Sequence, residues 1–329
     1  MKNVLINNNA QKVWSVYDKE MLKRLSLDQK VYSKLDVINS PDSFADTRCI
    51  FSTWGMPAFS EDEIEKYFPS LEAVFYAAGT VQSFARPFLS RGVRVFSAWM
   101  ANAVPVAEYT VSAILLANKG FFAYTNTTDS RDREKQRSLI AKYSGNYGAR
   151  VGIIGAGAIG SLVCEMLGKS KLELLVFDPF LNAERAEQLG VRLCGLDEIF
   201  SSCSVISNHL ANNSETQGML DYSLFSLMPE YSTFINTGRG AQVVEDDLVR
   251  ILNERPDIVA LLDVTYPEPP SAEHPFHMLR NCILTPHIAG SIGDETHRMA
   301  EYMADEYERI TNGIPPMYEV TAEALSKMA

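Results

Sequence analysis

Cysteine is scarce and unpaired in this sequence: Cys49, Cys164, Cys194, Cys203 and Cys282 are odd in number, scattered and free of any CxxC spacing. That pattern excludes a disulfide framework, offers no zinc knuckle, and leaves buried free thiols as the plain reading. Positive charge is short as well. Lys and Arg number 30 against 41 Asp and Glu, so the formal charge is −11, which repels a phosphate backbone unless a local basic patch intervenes. The densest basic stretch, Arg131 to Arg137, interleaves Asp132 and Glu134 with its cations and reads as a solvated helix face, not a nucleic-acid site. Long apolar runs are missing too. Only Val4-Leu5-Ile6 precedes Asn7-Asn8-Asn9, too short for a signal peptide, and no stretch approaches ~20 apolar residues, so a soluble, cytoplasmic protein with no membrane partner is expected.

What is present is a chain of 329 residues, enough for two domains of the usual ~150. Its 46% hydrophobic and 22% charged content is that of a folded globular protein. Short β-type runs alternate with amphipathic stretches, the pattern of helices packed on both faces of parallel sheets. A first series places strands at 3–7, 48–52, 73–76 and 93–97, with helices near 18–27, 60–67 and 81–89. A longer helix is predicted to start at Pro105, whose fixed φ suits a first helical turn, and to run to about Tyr124. A second series begins at Arg150, with strands at 151–154, 172–177, 204–207, 233–236, 258–263 and 282–284. From Asp294 to Thr311 the sequence predicts a charged amphipathic helix with Met299, Tyr302, Met303 and Tyr307 on its apolar face and no strand after it.

Val151-Gly152-Ile153-Ile154 runs straight into Gly155-Ala156-Gly157-Ala158-Ile159-Gly160, a G-x-G-x-x-G loop. A helix from Ile159 to Leu167 follows, then a second strand ending in Asp178, eighteen residues past Gly160. In that context the first glycine allows a tight turn, the second lets backbone approach a pyrophosphate, and the third lets helix and strand pack closely. The amides at the helix start would hold the phosphate charge. Asp178 would accept hydrogen bonds from the ribose hydroxyls and repel a 2′-phosphate, so NAD is favoured over NADP.

Three later segments bring charged or titratable residues to strand ends, where open α/β sheets place their sites. Asn236-Thr237-Gly238-Arg239-Gly240 presents one arginine between two glycines, a guanidinium able to grip a carboxylate with two hydrogen bonds while the glycines leave room for a ligand. Asp263-Val264-Thr265-Tyr266-Pro267-Glu268-Pro269 delivers Asp263 from a hydrophobic strand and fixes Glu268 in a proline-stiffened loop. Thr285-Pro286-His287-Ile288-Ala289-Gly290 holds a histidine after a proline. An acid, an arginine and a histidine downstream of a dinucleotide loop make a candidate acid-base site. His274 and His277 stand in a proline-interrupted loop that does not hold i and i+3 on one face, and no metal is expected.

On these motifs, together with Ser207-Asn208-His209-Leu210 and the Met228 to Asp246 segment, the sequence resembles the D-isomer-specific 2-hydroxyacid dehydrogenases, a family that includes phosphoglycerate, glyoxylate/hydroxypyruvate and D-lactate dehydrogenases. The match spans almost the whole chain and is densest from Gly152 to Gly290. The resemblance implies an α/β fold in which a Rossmann NAD-binding domain, 104–291, is inserted into a smaller flavodoxin-like substrate domain, 1–103 plus 292–329. It implies NAD as cofactor, lined by Gly155, Gly157, Ala158, Ile159, Gly160, Asp178, His209, Thr237, Gly238, Asp263 and Gly290. It implies that Arg239 binds the carboxylate of a 2-keto acid, that His287 passes a proton to and from the substrate oxygen, and that Glu268 hydrogen-bonds His287 and favours its charged form. Backbone amides around Ala78, Gly79 and Thr80 would also hold the carboxylate, and the helix from Pro105 would pack in a homodimer.

The chain departs from the family pattern on the substrate side. Ala78 to Phe84 carries no acid, Glu108-Tyr109 replaces a usual Glu-His, and Ala211-Asn212-Asn213 replaces a proline-containing turn. Trp54, in Ser52-Thr53-Trp54-Gly55-Met56-Pro57, cannot balance a dianionic phosphate but can cover an alkyl or aromatic side chain. The expected substrate is therefore an unphosphorylated 2-keto acid or the matching D-2-hydroxy acid. Phosphoglycerate oxidation and NAD(H) sensing without turnover, as in corepressors on this scaffold, are the alternatives.

Overall fold

In the computed structural model, residues 2–127 and 133–327 are described. Arg131 and Asp132 of the basic stretch lie outside them, while Glu134 and Arg137, on the helix Arg133–Ile140, are exposed. The chain divides into two compact units, one of Met1–Asn102 with Ser291–Ala329 and one of Ala103–Gly290.

Strands β1 (Lys2–Ile6), β2 (Val31–Tyr32), β3 (Thr47–Ser52), β4 (Ala73–Tyr76) and β5 (Arg94–Ser97) belong to the first unit. Strands β6 (Tyr147–Ile154), β7 (Lys171–Phe177), β8 (Arg192–Leu193), β9 (Val205–Asn208), β10 (Thr233–Asn236), β11 (Val259–Leu262) and β12 (Cys282–Leu284) form the second, and β13 (Glu319–Val320) returns to the first.

The first sheet is ordered β13-β5-β4-β3-β1-β2. Its five parallel strands have the flavodoxin-like order 2-1-3-4-5, and β13 adds an antiparallel edge. Both faces of β3 and β4 are covered, which is why they read as continuous apolar runs without alternation. The register sets Phe51 beside Phe75 and Phe75 beside Phe96. Their rings stack at 4.8 Å, and Tyr307 from the helix His297–Thr311 meets Phe51 and Phe75 edge-on. Met299 and Met303 of that helix are fully buried, with Tyr302 and Tyr307 packed against the same core.

The second sheet is ordered β12-β11-β10-β9-β6-β7-β8 and is entirely parallel, a Rossmann order extended by one strand. Chain direction reverses its progress between β6 and β9, the topological switch point. In register, Ile154, Asn208, Asn236, Leu262 and Leu284 are the last paired rungs of neighbouring strands. The next residue of each, Gly155, His209, Thr237, Asp263 and Thr285, therefore stands in one row along the carboxyl edge.

Two expectations fail. The long helix spans Trp99–Ala117, with Pro105 inside it, and a separate helix Phe121–Thr127 follows. Burial of Ala101, Ala103, Ala107, Ala113 and Ile114 along this helix outweighs the one hydrogen bond that Pro105 removes. At 19 residues it is long and apolar enough to cross a membrane by length and composition, contrary to the reading of the apolar runs, and half of it is buried within the protein. Secondly, a strand does follow the helix His297–Thr311: β13, two residues long, pairs Glu319 and Val320 with Phe96 and Val95. Arg94 and Glu319 clasp it with two hydrogen bonds of 2.8 Å. Two residues cannot display the period-2 alternation by which strands are read.

Candidate active site

At the end of β6, Gly155 adopts φ +88° and its amide bonds to Phe177 O, 2.7 Å away. A Cβ here would lie 2.8 Å from the His209 carbonyl oxygen, and one on Gly160 would lie 1.9 Å from Gly155 O, so both positions exclude a side chain. Gly157 differs, since nothing stands within 4 Å of where its Cβ would be. It caps the helix Ala158–Leu167 without a side-chain acceptor, leaving the first-turn amides, Ile159 and Gly160 among them, to an outside anion. Asp178 accepts the Ala156 amide on Oδ2 and the Phe180 amide on Oδ1, both at 2.7 Å, which fixes its carboxylate beside the loop with lone pairs to spare for two hydroxyls. These residues fit a dinucleotide.

His209 contributes its backbone carbonyl to the turn, while its ring faces inward. Nε2 and Ser207 Oγ are 2.9 Å apart, and Nδ1 has no protein partner among the described residues. Burial pushes its pKa down to about 3, so the ring is neutral. An unfolded histidine takes up a proton below its ordinary 6.5, whereas folded His209 does not until about 3. Across that window the unfolded state binds more protons, and this residue's contribution makes stability fall as pH falls, by at most about 1.4 kcal/mol per pH unit. We expect denaturant midpoints between pH 6 and 4 to drop more steeply in the wild type than in His209→Gln. Parallel slopes would show that the ring is not held neutral.

The loop after β10 is braced by buried amides. Gln242, fully buried, accepts the Arg239 amide (3.1 Å) and Asn208 Nδ2 (2.6 Å) on Oε1, and donates Nε2 to Leu210 O (2.7 Å) and Ala211 O (3.1 Å). Asn236 Oδ1 accepts from Gly238 N and Asn208 Nδ2, and Asn236 Nδ2 donates to Arg239 O. The glycines flanking Arg239 do not open space for a ligand, as the sequence suggested. A Cβ on Gly240 would sit 2.0 Å from the Thr265 carbonyl carbon, and one on Gly238 2.9 Å from Gln242 Oε1, so both positions serve loop packing. Thr237 Oγ1 pairs with Thr110 Oγ1 of the helix Trp99–Ala117 at 3.1 Å.

Arg239 itself is half-buried, with its Nη1 on Gly238 O at 2.7 Å and no ion pair among the described residues. Burial lowers its pKa, and the charge of Glu268 partly offsets that. A desolvated guanidinium without a carboxylate is costly until an anion arrives.

Asp263, buried at the end of β11, organises the histidine loop. Oδ1 accepts Thr285 Oγ1 (2.6 Å) and the Ile288 amide (2.8 Å), Oδ2 accepts the Ala289 amide (2.9 Å), and Asp263 O accepts the His287 amide (3.1 Å). Tyr109 Oη lies 3.3 Å from Thr285 Oγ1. His287 is thereby held at φ +54°, a left-handed conformation uncommon for a non-glycine residue. Its Nδ1 stands 2.6 Å from Glu268 Oε1, both side chains remain part-exposed, and Nε2 has no protein partner among the described residues. Gly290 follows directly and ends the unit.

Arg239, Glu268 and His287 thus meet in one unit. His274 and His277 go to separate partners, Glu245 and Ser271 O. In the first unit, Asn7 at the end of β1 donates to Ser52 Oγ, Thr53 O and Trp54 O, holding the Trp54 loop at that sheet's own switch point. Trp54 is half-buried against the core. The Ala78 amide is engaged by Tyr76 O, whereas those of Gly79 and Thr80 have no protein acceptor among the described residues. Asn7, Asn208, Gln242 and Asp263's loop-holding role escaped the sequence reading. The only signal was polar residues inside apolar strand ends.

The sheet order and the row of residues at its carboxyl edge define a dinucleotide-binding α/β protein. Residues 111–289 match the family described as D-isomer specific 2-hydroxyacid dehydrogenase, NAD binding domain, and the chain belongs to that family. It is 29% identical over 225 residues to a D-3-phosphoglycerate dehydrogenase of Archaeoglobus fulgidus, covering 68% of this chain and 42% of the relative. It is 31% identical over 168 residues to a hydroxypyruvate reductase of Blautia hydrogenotrophica, covering 51% and 52%. The chain thus spans about half the length of these curated relatives, or less. The NAD-complexed form of a D-isomer specific 2-hydroxyacid dehydrogenase from Lactobacillus delbrueckii ssp. bulgaricus superposes with a TM-score of 0.78 at 17% identity, covering 98% of this chain and all of the other, a likeness of fold.

Proposed function

We propose that this protein is an NAD-dependent oxidoreductase interconverting a 2-keto acid and its D-2-hydroxy acid, with His287 as general acid and base. The observation that carries this reading is the 2.6 Å contact between His287 Nδ1 and Glu268 Oε1, beside an arginine that lacks an anion. With Nδ1 engaged by Glu268, Nε2 is the atom that gives a proton to the keto oxygen in reduction and takes it from the hydroxyl in oxidation. Arg239 fixes the substrate carboxylate and withdraws charge from the neighbouring carbonyl. The Gly155–Gly160 loop and Asp178 would hold NAD(H), which when bound would supply or accept the hydride.

An unphosphorylated substrate is favoured because neither the 52–57 nor the 78–84 segment carries a cation. The names of the phosphoglycerate relatives support a second reading, oxidation of a phosphoglycerate. Oxidation of NADH in the presence of glyoxylate, hydroxypyruvate, phosphohydroxypyruvate and branched 2-keto acids separates them. Preference for phosphohydroxypyruvate favours the second reading, and tight NADH binding without consumption of any of these substrates favours a sensor. We expect NADH to outperform NADPH, since the residues after Asp178 are Pro179 and Phe180, with no arginine to neutralise a 2′-phosphate. Asp178→Ser should narrow that gap, and equal specificity constants in the wild type would defeat the assignment.

A further inference from the structure

We propose that Glu245 is a positioning residue for Glu268, clamping the loop that carries it through the Tyr266 amide, with His274 standing beside the other carboxylate oxygen; the inference rests on the acid-base reading of His287 and Glu268. Glu245 opens the helix Glu245–Glu254, six residues beyond Arg239, and its side chain is only 13% exposed. Oε1 accepts the Tyr266 amide at 2.8 Å, and Oε2 lies 3.3 Å from His274 Nε2, on a side chain only 17% exposed. His274 Nδ1 accepts the Phe276 amide at 3.3 Å, which places the imidazole proton on Nε2, facing Glu245. Oε1 therefore has a fixed donor, and His274 Nε2 stands within ion-pair distance of Oε2.

A carboxylate in a first helical turn is common as a partner of the helix dipole. Two features set this one apart. Its partners come from other segments, the 266 loop and the 274 turn, and Val244 caps the helix with no side-chain bond. The clamp also lies next to a second tie, because the Cα of Gly240 packs directly on Thr265. Thr265 and Tyr266 are thus pinned to the segment that presents Arg239. From Tyr266 only Pro267 intervenes before Glu268, and Pro269 follows, so restricted φ angles carry the fixed position of Tyr266 to the Glu268 carboxylate. Burial pushes the Glu245 pKa up, and the Tyr266 amide opposes that. His274, for which the sequence suggested no role, acquires one in this arrangement.

The test compares Glu245→Leu, Glu245→Gln and His274→Gln with the wild type in the full chain. Steady-state reduction of the best 2-keto acid, NADH affinity by fluorescence, Tm, and the proton spectrum of ¹⁵N-histidine-labelled protein are recorded. A misaimed Glu268 is expected to lower kcat about 10- to 100-fold in Glu245→Leu, with KM and NADH affinity near wild type. The low-field His287 Nδ1–H resonance, identified by its loss in Glu268→Gln, should vanish with it. Glu245→Gln keeps an acceptor for the Tyr266 amide and should recover most of kcat and the resonance. His274→Gln should lower kcat in the same direction, and it decides the matter if Glu245→Leu does not fold. Wild-type kcat and an intact resonance in the folded variants would overturn the proposal, as would a fall in Tm with kcat unchanged. A wild type that turns over no 2-keto acid defeats the dehydrogenase reading, and the resonance alone then decides the clamp.

Discussion

His287→Ala is expected to lower kcat about 10²- to 10⁴-fold while NADH still binds, the range that a positioned proton donor ordinarily contributes. Among the described residues the imidazole's hydrogen bond is to Glu268 and none goes to the glycine loop or Asp178, and Asp263 holds the surrounding backbone through Thr285, Ile288 and Ala289 without using the His287 side chain. Removing the ring should also relieve nothing at the fold level, although alanine inherits the left-handed φ of +54°. His287→Gly therefore serves as a control in which that strain is absent. Both variants should show the same kinetic loss. Wild-type turnover in either, with the fold intact, would remove His287 from the chemistry.

Arg239→Leu should act on binding and on rate together. The guanidinium lacks a carboxylate partner and is partly desolvated, so its interaction with an incoming anion is stronger than that of an exposed pair. Losing a hydrogen bond to a charged group costs about 1.5–3 kcal/mol, and two parallel bonds to one carboxylate push the loss in kcat/KM to the order of 10²- to 10³-fold. Stability should move the other way, since an apolar side chain at this half-buried position relieves the desolvation. A raised Tm with kcat/KM reduced by that order is the expected pair of results. Unchanged KM for every 2-keto acid tested would show that the carboxylate is held elsewhere.

The parts of this molecule that could be read in advance share a physical cause. Strands β3, β4, β10 and β11 are buried on both faces, so their apolar runs and the turns that end them mark them plainly. The Gly155 loop is legible because steric exclusion at Gly155 and Gly160 leaves no other residue possible. Arg239, Glu268 and His287 stood out as polar residues at strand ends. Gln242 and Glu245 did not, because what makes each distinctive is the set of partners it meets: backbone of 210–211 for Gln242, Tyr266 and His274 for Glu245. Likewise Gly240 looked like room for a ligand, and only the fold reveals that Thr265 fills that room. Pro105 misled for a related reason, since the burial that sustains its helix is tertiary.

The strands that were hardest to read also occupy one kind of place. β2 and β13 bound the first sheet and β8 bounds one side of the second, each only two residues long. A long strand at such a border would offer a ladder of vacant donors and acceptors to any extended chain in the cell, the route by which sheets grow into aggregates. A border two residues long has almost no template to offer, and β13 adds the paired charges of Arg94 and Glu319 at the rim. The same brevity that hides these strands from sequence periodicity thus keeps a protein with two open sheets from recruiting its neighbours.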